Sequence, residues 1–205
     1  MPHYQTKFLL SATSAAQFPS PSVPEIAFLG RSNVGKSSLI KALLGETAAR
    51  VSSTPGRTRA INFFALHVQS AAKPELILAD LPGYGYAKLS RSISAEWPSF
   101  INPYLAERET LAACVCLVDM NVPPQPGDQV LAEYLDSIGR SRIVVGTKLD
   151  KLSGNQRVVA VKKLREALQT EQILVCSAKE GRGIPALWTA IQTTFQEFEA
   201  DRNRF

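Results

Sequence analysis

Two hydrophobic periodicities alternate along the chain. Nearly continuous apolar runs at Ile26–Leu29, Ile61–Val68, Leu76–Asp80, Ala112–Asp119, Arg142–Thr147 and Ile173–Cys176 read as strands, because a run without polar alternation needs cover on both faces of a sheet. Between and after them, Ser37–Leu44, Asp128–Ser137, Asn155–Leu168 and Ile184–Glu199 repeat their apolar residues at helical spacing. Lys7–Ser11 reads as an edge segment, and Tyr84–Glu107 carries no settled period. Strands alternating with helices predict an α/β fold with a mostly parallel central sheet and helices on both faces. The link from Gln69 to Pro74 is too short for a helical crossover, so the two strands it joins are expected to form an antiparallel edge hairpin. A chain of 205 residues with 45% hydrophobic content can bury one core. Residues 1–205 are therefore expected to be a single domain, with 1–24 an N-terminal extension packed on it.

The strand endings carry the candidate chemistry. Gly30-Arg31-Ser32-Asn33-Val34-Gly35-Lys36-Ser37 follows the first buried run and completes the phosphate-cradling pattern GxxxxGK[ST]. Its glycines let successive backbone N–H groups turn inward, Lys36 supplies a cation, and the Ser37 hydroxyl can ligate magnesium. The helix that follows points its N-terminus at the bound phosphates. Asp80-Leu81-Pro82-Gly83 ends another strand in DxxG, where Asp80 can hold a water of the magnesium shell and Gly83 can offer its N–H to a γ-phosphate. Thr147-Lys148-Leu149-Asp150 ends a third, and its carboxylate can accept the two adjacent hydrogen bonds that guanine donates and adenine does not. Cys176-Ser177-Ala178 ends a fourth, with backbone N–H groups for the guanine O6. All four stand where open α/β sheets bind ligands. Gly56, Arg57, Thr58, Arg59 and Ala60 belong to a polar segment without periodicity that reads as a nucleotide-sensing loop. Thr58 is its candidate magnesium ligand, with Thr54 as the competing choice.

Composition narrows the setting. Of the net charge of +5, the excess lies in residues 1–102, which hold ten Lys and Arg against five Asp and Glu, while residues 103–205 hold thirteen of each. Arg50, Arg57, Arg59, Lys88 and Arg91 crowd the two candidate sensing loops, and Tyr84 and Tyr86 are read there as aromatic planes, so an RNA surface is the expected partner. The three cysteines lack zinc spacing and are expected as packing thiols. No leader, lipidation signal or apolar run of about 18 residues appears. A cytoplasmic monomer with neither DNA nor membrane partner is expected.

Taken together, Gly30 to Ile40, Thr54-Pro55-Gly56-Arg57-Thr58, Asn62-Phe63-Phe64, Asp80-Leu81-Pro82-Gly83-Tyr84-Gly85-Tyr86-Ala87 and Thr147-Lys148-Leu149-Asp150 resemble the EngB (YihA/YsxC) family of bacterial ribosome-biogenesis GTPases, a translation-factor-related branch of the Ras-like GTPases. The resemblance implies a Ras-like P-loop GTPase fold and GTP or GDP with Mg²⁺ as ligands. It also implies hydrolysis of GTP to GDP in aid of large ribosomal subunit assembly, with the subunit or its precursor as partner and an associated need in cell division and septation. Thr147 stands where the wider superfamily carries Asn. Tyr84 stands where Ras-type enzymes carry a water-orienting Gln, and a phenol cannot replace an amide in that task, so slow unassisted turnover is expected. The implied catalytic set is Lys36, Thr58, Gly83 and Asn33. In related GTPases an Asn at position 33 helps to hold potassium; the alternative is an Asn tolerated in a turn. Arg57 and Arg59 stand as arginine-finger candidates or as RNA contacts.

Overall fold

The computed structural model describes residues 4–45, 60–68, 71, 73–85, 97, 99–202 and 204. Seven strands form one sheet: β1 (Tyr4–Ala12), β2 (Glu25–Gly30), β3 (Ile61–Val68), β4 (Leu76–Asp80), β5 (Leu111–Asp119), β6 (Arg142–Thr147) and β7 (Leu174–Val175), in the spatial order β1-β3-β4-β2-β5-β6-β7. β3 runs antiparallel to β4 as the short link demanded, and β1 adds antiparallel to β3 outside it. The pairs from β4 to β7 are parallel. Five α-helices stand among the described residues: α1 (Lys36–Leu44), α2 (Ile101–Glu107), α3 (Pro126–Ser137), α4 (Gly154–Leu168) and α5 (Ile184–Arg202).

The period of two along the buried strands divides the core into layers. Ile26 and Phe28 of β2 face Leu39, Leu43, Leu187 and Ile191 on α1 and α5, whereas Ala27 and Leu29 face Ile101, Tyr104, Leu131 and Leu135 on α2 and α3. A smaller cluster packs Leu164 and Leu168 of α4 against Val118 and Val144. Helices thus cover both faces, as the unbroken apolar runs required.

Boundaries shift for identifiable reasons. β1 extends three residues before the expected Lys7 and absorbs a bulge between Phe8 and Leu10, so its polar and apolar residues do not keep a clean alternation. α3 starts at Pro126 rather than Asp128, because proline suits a first helical turn that needs no N–H donor. α2 emerges inside the segment left unassigned, where three buried residues, Ile101, Tyr104 and Leu105, form too short a stripe to show a period. Cys114, Cys116 and Cys176 are free and buried, and burial pushes the Cys116 thiol up to about 12 and the Cys176 thiol up to about 11, as packing thiols require.

At the edge opposite the candidate site, Glu25 is fully buried at the start of β2. Its carboxylate accepts from the Tyr104 hydroxyl at 2.8 Å, the Thr110 hydroxyl at 2.7 Å and Arg108 Nε at 2.8 Å. Arg108 also donates to the Pro19 carbonyl at 2.6 Å, tying the proline-rich connection to the end of α2. Two segments distant in sequence, 19–25 and 104–110, are thus joined around one charge. Glu25→Ala would strand Arg108 and two hydroxyls, and a loss of about 3 kcal/mol is expected in denaturant unfolding. A shift under about 1 kcal/mol would show that water replaces the carboxylate readily.

Candidate nucleotide site

The parallel strands deliver their ends to one edge. β2 ends at Gly30, β4 at Asp80, β5 at Asp119 and β6 at Thr147. From Gly30 the chain turns through Arg31-Ser32-Asn33-Val34-Gly35 into α1, with Asn33 at φ 66° and Gly35 at φ 103°. Both lie in the left-handed region, which Asn tolerates and glycine favours. A Cβ on Gly30 would come within 2.8 Å of Val34 Cγ1, so the loop closes only over a bare α-carbon. α1 begins with no side-chain cap, leaving its first-turn N–H groups to be satisfied from outside the helix. That is the cradle a phosphate fits. Asn33 and Ser37 are exposed, and Val34 is buried.

Lys36 forms an ion pair with Asp80, which is only 6% exposed, so cation and carboxylate stand together at the mouth of the cradle. Asp80 and Ser37 are both oxygen donors, a set suited to a hard divalent ion. Among the described residues no group of three or more His, Cys, Asp or Glu is placed to hold a metal. Magnesium commonly takes one or two protein oxygens and completes its shell with phosphates and water. Leu81 and Pro82 are buried beyond Asp80, and Gly83 is exposed. Gly83 lies against the phosphate loop: a Cβ there would come within 3.0 Å of Ser32 Oγ.

Thr147 is buried, with Oγ1 2.6 Å from the Val34 carbonyl and 3.1 Å from that of Val118. Its hydroxyl therefore joins β6 to the phosphate loop. Lys148 takes a left-handed backbone at φ 59° and donates from Nζ to Asp119 Oδ2 at 2.6 Å, while Asn121 Nδ2 donates to the Lys148 carbonyl at 3.2 Å. Burial acts to raise Asp119, but the hydrogen bonds from Lys148 and Asn121 outweigh it and hold the carboxyl below its ordinary value. Leu149 is buried and donates its N–H to the Cys176 carbonyl at 3.1 Å, linking the third and fourth motifs. Asp150 Oδ1 accepts from the fully buried Ser177 hydroxyl at 2.7 Å, and that bond keeps its carboxyl below the usual range. The turn after Ala178 closes through Ser177 N–H to the Arg182 carbonyl at 2.9 Å. Gly183 then admits no side chain, since a Cβ would fall 2.0 Å from the Val175 carbonyl oxygen.

Of the residues expected from the sequence, Gly30 to Ser37, Asp80 to Gly83, Thr147 to Asp150 and Cys176 to Ala178 gather at this one edge. Ala60 immediately precedes β3. Gly56, Arg57, Thr58 and Arg59 lie outside the described residues, as do Thr54, Arg50, Tyr86, Lys88 and Arg91. One expectation is overturned. Tyr84 offers no aromatic plane to RNA, because its side chain is 2% exposed, packed edge-on against Trp97 and hydrogen-bonded to Asp128 at 2.9 Å. Asp119, Asn121 and Asp128 escaped the sequence reading; the first could have been found from its place at the carboxyl end of a parallel strand.

Residues 25–148 match the family of 50S ribosome-binding GTPases. Over 192 residues, covering 93% of this chain and 91% of its relative, the chain is 60% identical to a probable GTP-binding protein EngB of Acidobacterium capsulatum. It is 54% identical to that of Koribacter versatilis over 186 residues, 91% of this chain and 92% of the relative. A solved structure of a probable GTP-binding protein EngB superposes with a TM-score of 0.67 at 26% identity, over 84% of this chain and 99% of that one. Era of Aquifex aeolicus, solved with GDP and AlF₄⁻, shares the fold with a TM-score of 0.66 at 22% identity, over 84% of this chain and 57% of that one.

Proposed function

This chain belongs to the EngB family of GTP-binding proteins, and on that premise we propose that it hydrolyses GTP to GDP slowly when alone, assists assembly of the large ribosomal subunit, and is needed for normal cell division and septation. The observation that carries the reading is the convergence on one sheet edge of a phosphate cradle and a carboxylate loop suited to guanine, joined by the Thr147 hydroxyl. In this reading residues 1–205 are one GTPase domain, and the register of β1 on β3 supports treating 1–24 as an extension packed on it.

Within the domain, N–H groups from Gly30 to Ser37 enclose the phosphates and Lys36 balances their charge. Gly83 donates to the γ-phosphate, and Thr58 does the same from the loop Gly56 to Ala60, where Arg57 and Arg59 meet the partner or the phosphates. Asp150 reads the base, flanked by Thr147, Lys148 and Leu149, and the N–H groups of Cys176, Ser177 and Ala178 face its O6. Ser37, Thr58 and, through water, Asp80 would hold a magnesium ion, whose charge would offset that developing on the transferred phosphoryl group. Asn33 would hold a potassium ion beside it. The partner is large-subunit ribosomal RNA and protein, a reading supported by the match of residues 25–148 to the 50S ribosome-binding GTPases. The basic excess of residues 1–102 supports an RNA contact.

A second reading has its own support. The Tyr84 phenol is committed to Asp128, so nothing directly after the DxxG motif orients water, and a docking module with negligible hydrolysis would need no such group. Single-turnover GTP hydrolysis at matched ionic strength, with and without large-subunit precursors, separates the two. Potassium is expected to accelerate the wild type over sodium by at least about tenfold, with a further gain from the precursor. Asn33→Ala is expected to abolish the potassium effect while GDP affinity holds. Equal rates in both salts that the precursor leaves unchanged would favour the docking module.

A further inference from the structure

Tyr84 is the one large side chain directly after the γ-phosphate-sensing motif, and it is held from three sides. Its carbonyl accepts the Ser32 N–H at 2.9 Å, within a short parallel bridge between Arg31 and Tyr84. Its ring meets Trp97 edge-on, with centroids 6.0 Å apart, and lies so close to Gly127 that a Cβ there would come within 3.4 Å of it. Its hydroxyl donates to Asp128 Oδ1 at 2.9 Å, in the first turn of α3, and both side chains are buried. Gly83, one residue earlier, sits in near contact with Ser32, where a Cβ would stand 3.2 Å from the backbone nitrogen. Phosphate loop, Gly83 and α3 are therefore held in one frame.

We infer that Tyr84 and Asp128 form a positioning pair that fixes the Gly83 N–H relative to the phosphate loop, so that the triphosphate meets a preformed donor. The inference rests on the proposed contact of Gly83 with the γ-phosphate. In this arrangement the main chain of Gly83 is already held against the phosphate loop before a nucleotide binds. A donor fixed beforehand needs no ordering when GTP binds, and that ordering otherwise subtracts from affinity. Neither Tyr84 nor Asp128 touches the ligand, and both act through the main chain of Gly83.

A packing tyrosine would affect folding, or both nucleotides alike; a positioning one affects the triphosphate selectively. The test measures affinities for GDP and for a non-hydrolysable GTP analogue, together with the single-turnover rate, in the full chain. Tyr84→Phe keeps the ring and removes only the hydroxyl. It is expected to weaken the GTP analogue about tenfold (about 1.4 kcal/mol) relative to GDP and to lower the hydrolysis rate in step. Asp128→Ala is expected to do the same. Asp128→Asn retains an acceptor oxygen for the phenol and should restore the GTP to GDP ratio to within about twofold of wild type. A ratio unchanged in Tyr84→Phe, or equal losses for both nucleotides, would overturn the positioning role while leaving the GTPase reading intact. A wild type that does not distinguish the GTP analogue from GDP would overturn the Gly83 contact and the positioning role with it.

Discussion

Asp150→Asn is expected to weaken GDP and GTP about a thousandfold and to create affinity for xanthine nucleotides. Two charge-assisted hydrogen bonds to guanine are lost or inverted, each contributing about 1.5 to 3 kcal/mol. The orientation of the new amide follows from its neighbour. The Ser177 hydroxyl donates to Oδ1 at 2.7 Å, so an amide would keep its oxygen there and turn its NH₂ toward the base. That NH₂ opposes the guanine donors and matches the C2 carbonyl of xanthine. Titration with GDP and XDP checks the exchange; GDP affinity within about tenfold of wild type would remove Asp150 from base recognition.

Lys36→Ala is expected to abolish binding of both nucleotides, a loss of at least about a thousandfold by calorimetric titration. The substitution removes a cation from the phosphate cradle and leaves Asp80 buried at 6% exposure without its partner. An unpaired buried carboxylate is itself strongly unfavourable. Thermal unfolding therefore belongs beside the titration: a folded variant that binds nothing locates the effect in the ligand site. Retained GDP affinity would pass the phosphate-balancing role to another cation.

Much of this was legible because its signals are local. Apolar runs long enough to need cover on both faces announced the sheet, and a short link between two of them announced the antiparallel pairing of β3 with β4. The phosphate loop spells its geometry in consecutive residues, since Gly30 and Gly35 are glycines for reasons of space and dihedral angle. What remained hidden depends on residues that meet only in the fold. Tyr84 looked like a surface aromatic beside basic residues, and its burial rests on Trp97 and on Asp128, the latter far along the chain. Glu25 is a charge within an apolar strand, and its partners Tyr104, Arg108 and Thr110 lie beyond the reach of any periodicity. The reading of the loop from Gly56 to Arg59 rests on its polar composition and on the family resemblance, and the loop lies outside the described residues.

The threonine at position 147 has a consequence beyond replacing an asparagine. Because its hydroxyl lies 2.6 Å from the Val34 carbonyl, the strand whose end carries the carboxylate proposed to read the base is tied to the lip of the proposed phosphate cradle. The separation between those two stations belongs to the protein and not to the nucleotide. On the proposed assignment the site acts as a gauge of fixed span, so a molecule with the right base and the right phosphates but a longer or shorter connection between them would satisfy one end only. On that assignment length becomes a criterion of recognition alongside chemistry, and one buried oxygen helps to set it.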